Sequence, residues 1–329
     1  MNFTSILKAH VEIWRPYTVL WCGLVSFGGA CVSLGALPPL ITSLAVFLIP
    51  ITGWVAGLYG ADYLDRKLDK IAKAHRPIPS GRIPENHAIF CTVFLVVIGL
   101  FGSYMLGILN LLLALAVMVV GILYSKVFKK QGLLGHLNRG VATWLTILFG
   151  CVAVQSSLPF YLIPFSFAFL FHDAASNLMG AIRDIDSDRK GGYHTFPALH
   201  GFKKSVLAGA VLITVTIILA VSVPWKYGFL KSSYYYVYSI SVITIICLYV
   251  YLFLQSEISR CRALKIHEIY VFERITFASA ILFGVIEQRV AFFIYGFSLL
   301  FTAITQSKLR SRYEFKNEVY NNEKEKMGI

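Results

Sequence analysis

Apolar runs long enough to cross a bilayer recur along nearly the whole chain, separated by short polar segments. A hydrocarbon core of about 30 Å takes roughly 20 helical residues. Runs of that kind predict ten spans, at 17–36, 40–60, 88–106, 109–127, 139–156, 159–180, 204–223, 233–255, 270–286 and 288–306. Pro38 and Pro39 mark the first turn between spans, and Leu158–Pro159 marks a later one. The opening stretch MNFTSILKAHVEIWRP lacks a short apolar core followed by a small-residue cleavage site. It reads as an amphipathic helix lying on the membrane surface.

Composition agrees with this pattern. The chain is 57% hydrophobic and 14% charged, against about a quarter charged in an average soluble domain. The fold class is therefore all-α: a polytopic membrane bundle of nine or ten transmembrane helices around a central cavity, with cytoplasmic loops capping the site. No long soluble segment divides it, so residues 1–306 form one membrane domain and residues 307–329 a polar cytoplasmic tail. With the N-terminus in the cytoplasm, the outer turns hold Lys226, Lys231 and Arg289, and Arg274 lies inside a span. Every other Lys and Arg falls on an inner segment, as the positive-inside rule requires. The net charge of +13 is thus an inner-face property, suited to anionic lipid headgroups and anionic substrates. Nucleic acid is not called for as a partner. The six cysteines form no CxxC pair and the histidines are scattered, so neither gives a metal-binding spacing.

The acidic residues are what this composition leaves unexplained. All seven Asp lie in two short windows, Asp62, Asp65 and Asp69, then Asp173, Asp184, Asp186 and Asp188. Each window falls where an even-numbered span meets the cytoplasm. Asp62, Asp65 and Asp69 are spaced i, i+3 and i+7 and share one helical face; Asp184 and Asp188 are i, i+4 and share another. Asp186 points away from that second face, into solvent. Local pairs such as Asp62–Arg66 and Asp69–Lys73 would answer some of the charge, but exposed pairs contribute only about 0–1 kcal/mol. A divalent site explains the sorting better. Mg²⁺ binds through one or two carboxylates plus phosphate oxygens, and two acidic faces across a cavity can hold Mg²⁺ against a diphosphate while nearby cations take the remaining phosphate charge.

At these residues the chain resembles the UbiA superfamily of intramembrane prenyltransferases. Members carry NDxxDxxxD in one cytoplasmic loop and DxxxD in a later one. Here the first reads ADYLDRKLD, with Ala61 in place of the leading Asn, and runs on to RPIPSGR at 76–82. The second reads RDIDSDRKGGYHTFPALHG. The family's Tyr–Lys motif is matched by YSKVFK, with Tyr124 and Lys129, one residue longer in spacing and with Lys126 and Lys130 as competitors. The resemblance implies Mg²⁺-dependent transfer of an isoprenyl group from an allylic prenyl diphosphate to an aromatic or quinone-precursor acceptor, within the lipid membrane. HRPIPSGRI is similar to loops of members that prenylate aromatic acids, phenols or chlorophyll-type acceptors. RDIDSD followed by a Thr is similar to naphthoquinone-pathway members, although Met179-Gly180-Ala181-Ile182 stand where those carry paired Asn. The expected location is the bacterial cytoplasmic membrane, with the active site facing the cytoplasm.

Roles follow from this reading. Asp62, Asp65, Asp69, Asp184 and Asp188 are the metal-binding, catalytic set. Lys73, Arg76, Lys129 and Arg189 are candidates for the diphosphate; Pro77 and Pro79 stiffen the loop after Arg76. Tyr124 either binds phosphate or faces the cation with Trp54, Tyr59 and Tyr63, whose aromatic faces suit a passing carbocation. His172 and Asp173, inside a span, are candidates to bind acceptor or take its proton. Asn177 either orients metal or acceptor or bonds between helices. Arg15 either meets the acceptor or anchors the first span at the interface. A terpene cyclase, in which the substrate's own double bond captures the cation, is the alternative enzyme. A transporter is the alternative of another class, but transporter carboxylates lie near the bilayer midplane.

Overall fold

The computed structural model describes residues 3–155 and 158–310. Among them the chain is helical, with α1 (Phe3–Trp14), α2 (Pro16–Leu34), α3 (Leu40–Ala72), α4 (Glu85–Leu106), α5 (Ile108–Lys126), α6 (Leu133–Val152), α7 (Leu162–Arg183), α8 (Ile185–Lys190), α9 (Phe196–Tyr227), α10 (Ser232–Leu254), α11 (Arg260–Val285) and α12 (Gln288–Arg310). Each expected span falls on one of these helices. Residue 156, the expected end of the fifth span, and residues 311–329 of the expected tail lie outside the described residues.

Among the described residues, seven helices are long and apolar enough to cross a membrane: α2, α3, α4, α5, α9, α10 and α12. The others that overlap expected spans, α6, α7 and α11, carry His136 and Arg139, His172 and Asp173, and Glu273 and Arg274, which lower their hydropathy. These three helices hold their polar groups toward one another: α6 packs on α7, and α7 on α11. The lipid side is plain on α4. Phe90, Phe94, Val97 and Phe101, at i, i+4, i+7 and i+11, are all more than half exposed, one apolar face left for lipid.

Helix length places the acidic windows. At about 1.5 Å per residue, the 33 residues of α3 span about 50 Å, well beyond a hydrocarbon core of about 30 Å. The helix has length to spare beyond that core, and its charged last turns, with Asp62, Asp65 and Asp69, are the part least suited to lie in it. On the other side, α7 ends at Arg183, short α8 turns across the face, and α9 starts at Phe196. Helix α9 breaks at Gly201, where φ is 78° and ψ is 179°, a conformation that favours a residue without Cβ. Close backbone approach fixes the centre. A Cβ on Gly150 of α6 would lie 1.7 Å from the Ser26 carbonyl oxygen of α2, so only glycine lets these helices touch.

Candidate active site

Asp62, Asp65 and Asp69 share one face of α3, but none takes its cation from the next helical turn: Arg76 comes from the loop just after α3, and Arg15 and Lys129 from farther along the chain. Arg66 is taken by Glu85 at 2.7 Å and covers the Tyr63 ring at 3.9 Å. Arg15 donates from Nη2 to both Asp62 oxygens, at 2.9 and 3.2 Å. Arg76 reaches Asp69 at 2.7 Å and Asp62 at 3.5 Å, and Lys129 Nζ donates to Asp65 at 2.5 Å. Arg15 is held there by the backbone. It separates α1 from α2 at φ 45°, the one non-glycine residue with positive φ among those described, a conformation worth about 1–3 kcal/mol of strain.

The second window meets the first. Lys73, at the end of α3, sends Nζ to Asp184 Oδ2 at 3.4 Å, and Arg183 holds Asp184 at 2.9 and 3.0 Å. Asp188 is buried and accepts from Thr195 Oγ1 at 3.0 Å, whereas Asp186 is exposed. The loop after α5 is pinned to the same place: Gly132 N–H donates to the His194 carbonyl at 3.1 Å, and Lys129 lies 4.2 Å from the centre of the Tyr193 ring. One cleft is lined by Asp62 and Asp184 together with Arg15, Lys73, His75, Arg76, Arg183 and Arg260.

Burial and neighbouring charge act against each other on most of these groups. Burial opposes the charged form of Asp184, but Arg183, Lys73 and Arg260 outweigh it and hold the carboxyl well below the usual range. Asp188 goes the other way, raised first by burial and then by the Asp184 charge beside it. Burial disfavours the cations Arg76 and Lys129, yet Asp62 and Asp69 for the first, and Asp65 for the second, raise both. Lys73 is lowered, by burial before any charge. Hard carboxylate oxygens crowded until one resists ionisation are a donor set that fits Mg²⁺.

The model of the UbiA prenyltransferase family matches residues 19–275. The chain belongs to that family. It is 33% identical over 223 residues to a digeranylgeranylglyceryl phosphate synthase of Thermococcus sibiricus, covering 68% of this chain and 78% of that one. Two solved UbiA homologues share its fold. One, from Aeropyrum pernix, has a TM-score of 0.69 at 20% identity over 80% of this chain and 96% of its own. The other, from Archaeoglobus fulgidus and bound to DMAPP and Mg²⁺, has a TM-score of 0.57 at 16% identity over 91% and 98%. The chain is thus an integral membrane prenyltransferase. An aromatic acceptor finds no support in relatives of this name, and a bacterial membrane finds none in relatives that are archaeal.

Several residues expected at the site of this prenyltransferase stand elsewhere. Arg189 is exposed and its Nε donates to the Ala198 carbonyl at 3.0 Å, turned from the cleft. Tyr59 is buried and its hydroxyl accepts from Trp14 at 2.7 Å, so it fastens α1. Tyr63 lies under Arg66. Tyr124 sits beside Lys129, whereas Lys126 and Lys130 are exposed. Asn177 bonds to His136 of α6 at 2.6 Å, the interhelical alternative. Asp173 is closed in by Arg274 at 2.6 Å, Thr143 at 2.9 Å and Arg139 at 3.6 Å, and Arg139 covers Trp54 at 4.1 Å. His172 meets Glu273 at 2.8 Å. These form a separate buried layer on α6, α7 and α11. The residues the sequence reading missed are Arg183, Arg260, His75, Tyr193 and Thr195. Tyr193 and Thr195 had a signal, since they stand in GGYHTF directly after the second motif; Arg260 had none.

Proposed function

We propose that the chain transfers a geranylgeranyl group from its allylic diphosphate to a hydroxyl of a glyceryl phosphate that already carries one such group. The reaction takes place at the cytoplasmic face of the membrane. The observation that carries this reading is the single cleft in which Asp62 and Asp184 face a set of basic residues on four segments, Arg15, Arg76, Arg183 and Arg260 among them. A diphosphate and a phosphate-bearing acceptor both need such cations, whereas a neutral phenol needs none. The acceptor class follows relatives named digeranylgeranylglyceryl phosphate synthase, and Mg²⁺ follows the donor set and the homologue bound to DMAPP and Mg²⁺.

Asp62, Asp65, Asp69, Asp184 and Asp188 would hold Mg²⁺, which supplies positive charge against the departing diphosphate. Arg76, Lys73 and Lys129 add fixed positive charge where the leaving group gains it. The allylic C–O bond breaks and its electron pair leaves with diphosphate. The acceptor oxygen then forms a new C–O bond to the allylic carbon and gives its proton to the departing diphosphate, the base that the step itself supplies. The apolar bundle below the cleft keeps water from the cation in the interval.

The test uses membranes holding the full chain, Mg²⁺ and geranylgeranyl diphosphate. Diphosphate release and product mass are followed with geranylgeranylglyceryl phosphate, with a phenolic acid, or with no acceptor. Release that depends on the glyceryl phosphate is expected. Release driven by the phenol, or a cyclised hydrocarbon without acceptor, would overturn the reading. Asp65→Asn and Asp184→Asn should each lower turnover by about 10²–10³-fold, the scale of losing one charge-stabilising group.

A further inference from the structure

Away from the carboxylate cleft, three metal-ligating side chains converge where α1 lies over the start of α4. The ligand atoms of His10, His87 and Cys91 all lie within 4.8 Å of one another. His87 and Cys91 are i, i+4 on α4, the spacing at which one helix face offers two ligands to one ion. His10 comes across from α1, its ring edge-on to that of His87 at 5.2 Å between centroids, and its Nδ1 hydrogen-bonded to the Tyr59 hydroxyl. That second bond orients a ligating imidazole in the way metal sites use. The scaffold beneath is firm: Ala9 and Ile13 of α1 are fully buried against Tyr59, Ile83 and Ala88, and Glu12 accepts from Arg82 at 2.6 Å.

We propose that His10, His87 and Cys91 bind one borderline-soft divalent cation of the Zn²⁺ class, at a site separate from the carboxylates, and so clamp α1 to α4. Two imidazoles and a thiolate select Zn²⁺ over Mg²⁺, which takes oxygen ligands. A tetrahedral ion with bonds of about 2.0–2.3 Å places its ligands about 3.3–3.6 Å apart, so side-chain rotation of about 1 Å closes the site around it. The fourth position is left to water. The clamp has a consequence for the cleft, because α1 leads directly into Arg15, which grips Asp62. Fixing α1 fixes that guanidinium.

The test uses the untagged full chain in detergent, stripped of metal and with Cys247→Ser and Cys261→Ser removing the exposed thiols. Zn²⁺ is titrated against a chromophoric chelator in excess Mg²⁺, and Co²⁺ serves as an optical probe. One Zn²⁺ per chain is expected, with a thiolate-to-Co²⁺ charge-transfer band that Cys91→Ser abolishes. His87→Ala should weaken Zn²⁺ binding by at least about tenfold, and Zn²⁺ should raise Tm in the parent but not in either variant. His87→Gln repeats the measurement where alanine lowers the yield of folded protein. A Co²⁺ spectrum without a thiolate band, a band that survives Cys91→Ser, or Zn²⁺ affinity unchanged in both His87 variants would overturn the proposal.

Discussion

Arg76 is the sharpest test of what holds the cleft together. It is the ion partner of Asp69 among the described residues and a second partner of Asp62, and the side chains of those carboxylates are only 4% and 7% exposed. Arg76→Gln leaves Asp69 charged, buried and unpaired, while Asp62 keeps Arg15. Removing one side of a buried ion pair costs about 3–5 kcal/mol. With Arg76 itself 22% exposed, the low end applies, about 3 kcal/mol. Unfolding entropy is about 2.1 cal/mol/K per residue, so over 329 residues that loss lowers Tm by about 4 °C. A bound cation substitutes for the guanidinium. At Mg²⁺ about 100 times its Kd, binding returns about 2.7 kcal/mol, so the variant should recover most of its deficit, and its gain should exceed that of the parent, where Arg76 must yield to the ion. The buried thiols of Cys22, Cys31 and Cys151 allow unfolding to be followed with a thiol-reactive fluorophore. A metal-free variant that melts with the parent, or a Mg²⁺ gain equal in both, would refute the reasoning.

Other positions give simpler outcomes. Gly150→Ala forces a Cβ to 1.7 Å from the Ser26 carbonyl and should destabilise by about 1–3 kcal/mol or more in the same melting assay, whereas Gly53→Ala, with nothing within 4 Å of the new atom, should not. Asp173→Asn strands the buried Arg274 and should cost about 3–5 kcal/mol; adding Arg274→Met should restore part of that, because Arg139, the more exposed of the two cations, is then the one left without Asp173. Arg189→Ala should leave the KM for prenyl diphosphate unchanged, since that side chain is spent on the Ala198 carbonyl.

The helices and acidic faces were legible because both depend on near neighbours. Apolar runs gave the ten ranges, and i, i+3, i+7 spacing put Asp62, Asp65 and Asp69 on one face. Apart from Arg76, seven residues past Asp69, what answered those charges was not legible. Arg15 and Asp62 are 47 residues apart, Lys129 and Asp65 are 64 apart, and Lys73 and Asp184 are 111 apart. The local partners that spacing offered were diverted: Arg66 found Glu85 and Lys73 found Asp184. The buried layer was hidden for the same reason. His172 and Asp173 stood out as ionisable groups in a span, but their partners Glu273 and Arg274 each lie 101 residues on. Only the packing of α7 on α11 brings them into register.

That buried layer also clarifies which charges are free to do chemistry. In it Asp173 faces Arg274 and Arg139, and Glu273 faces His172 and Ser241 at 2.8 and 2.6 Å. Each carboxylate is answered inside the bundle, and an anion entering there would have to break a matched set with no water to repay it. The cleft above is built differently. Asp62 and Asp184 are met by Arg15, Arg76, Lys73 and Arg183, with His75 and Arg260 also on its wall. Cations there outnumber the carboxylates on the wall, which is what the proposed binding of phosphate oxygens would need. In the proposed reaction, a cation that took the carboxylates would release the guanidiniums toward the phosphates. The ion pairs of the cleft thus keep in place, already folded, the charges that the proposed leaving group would need.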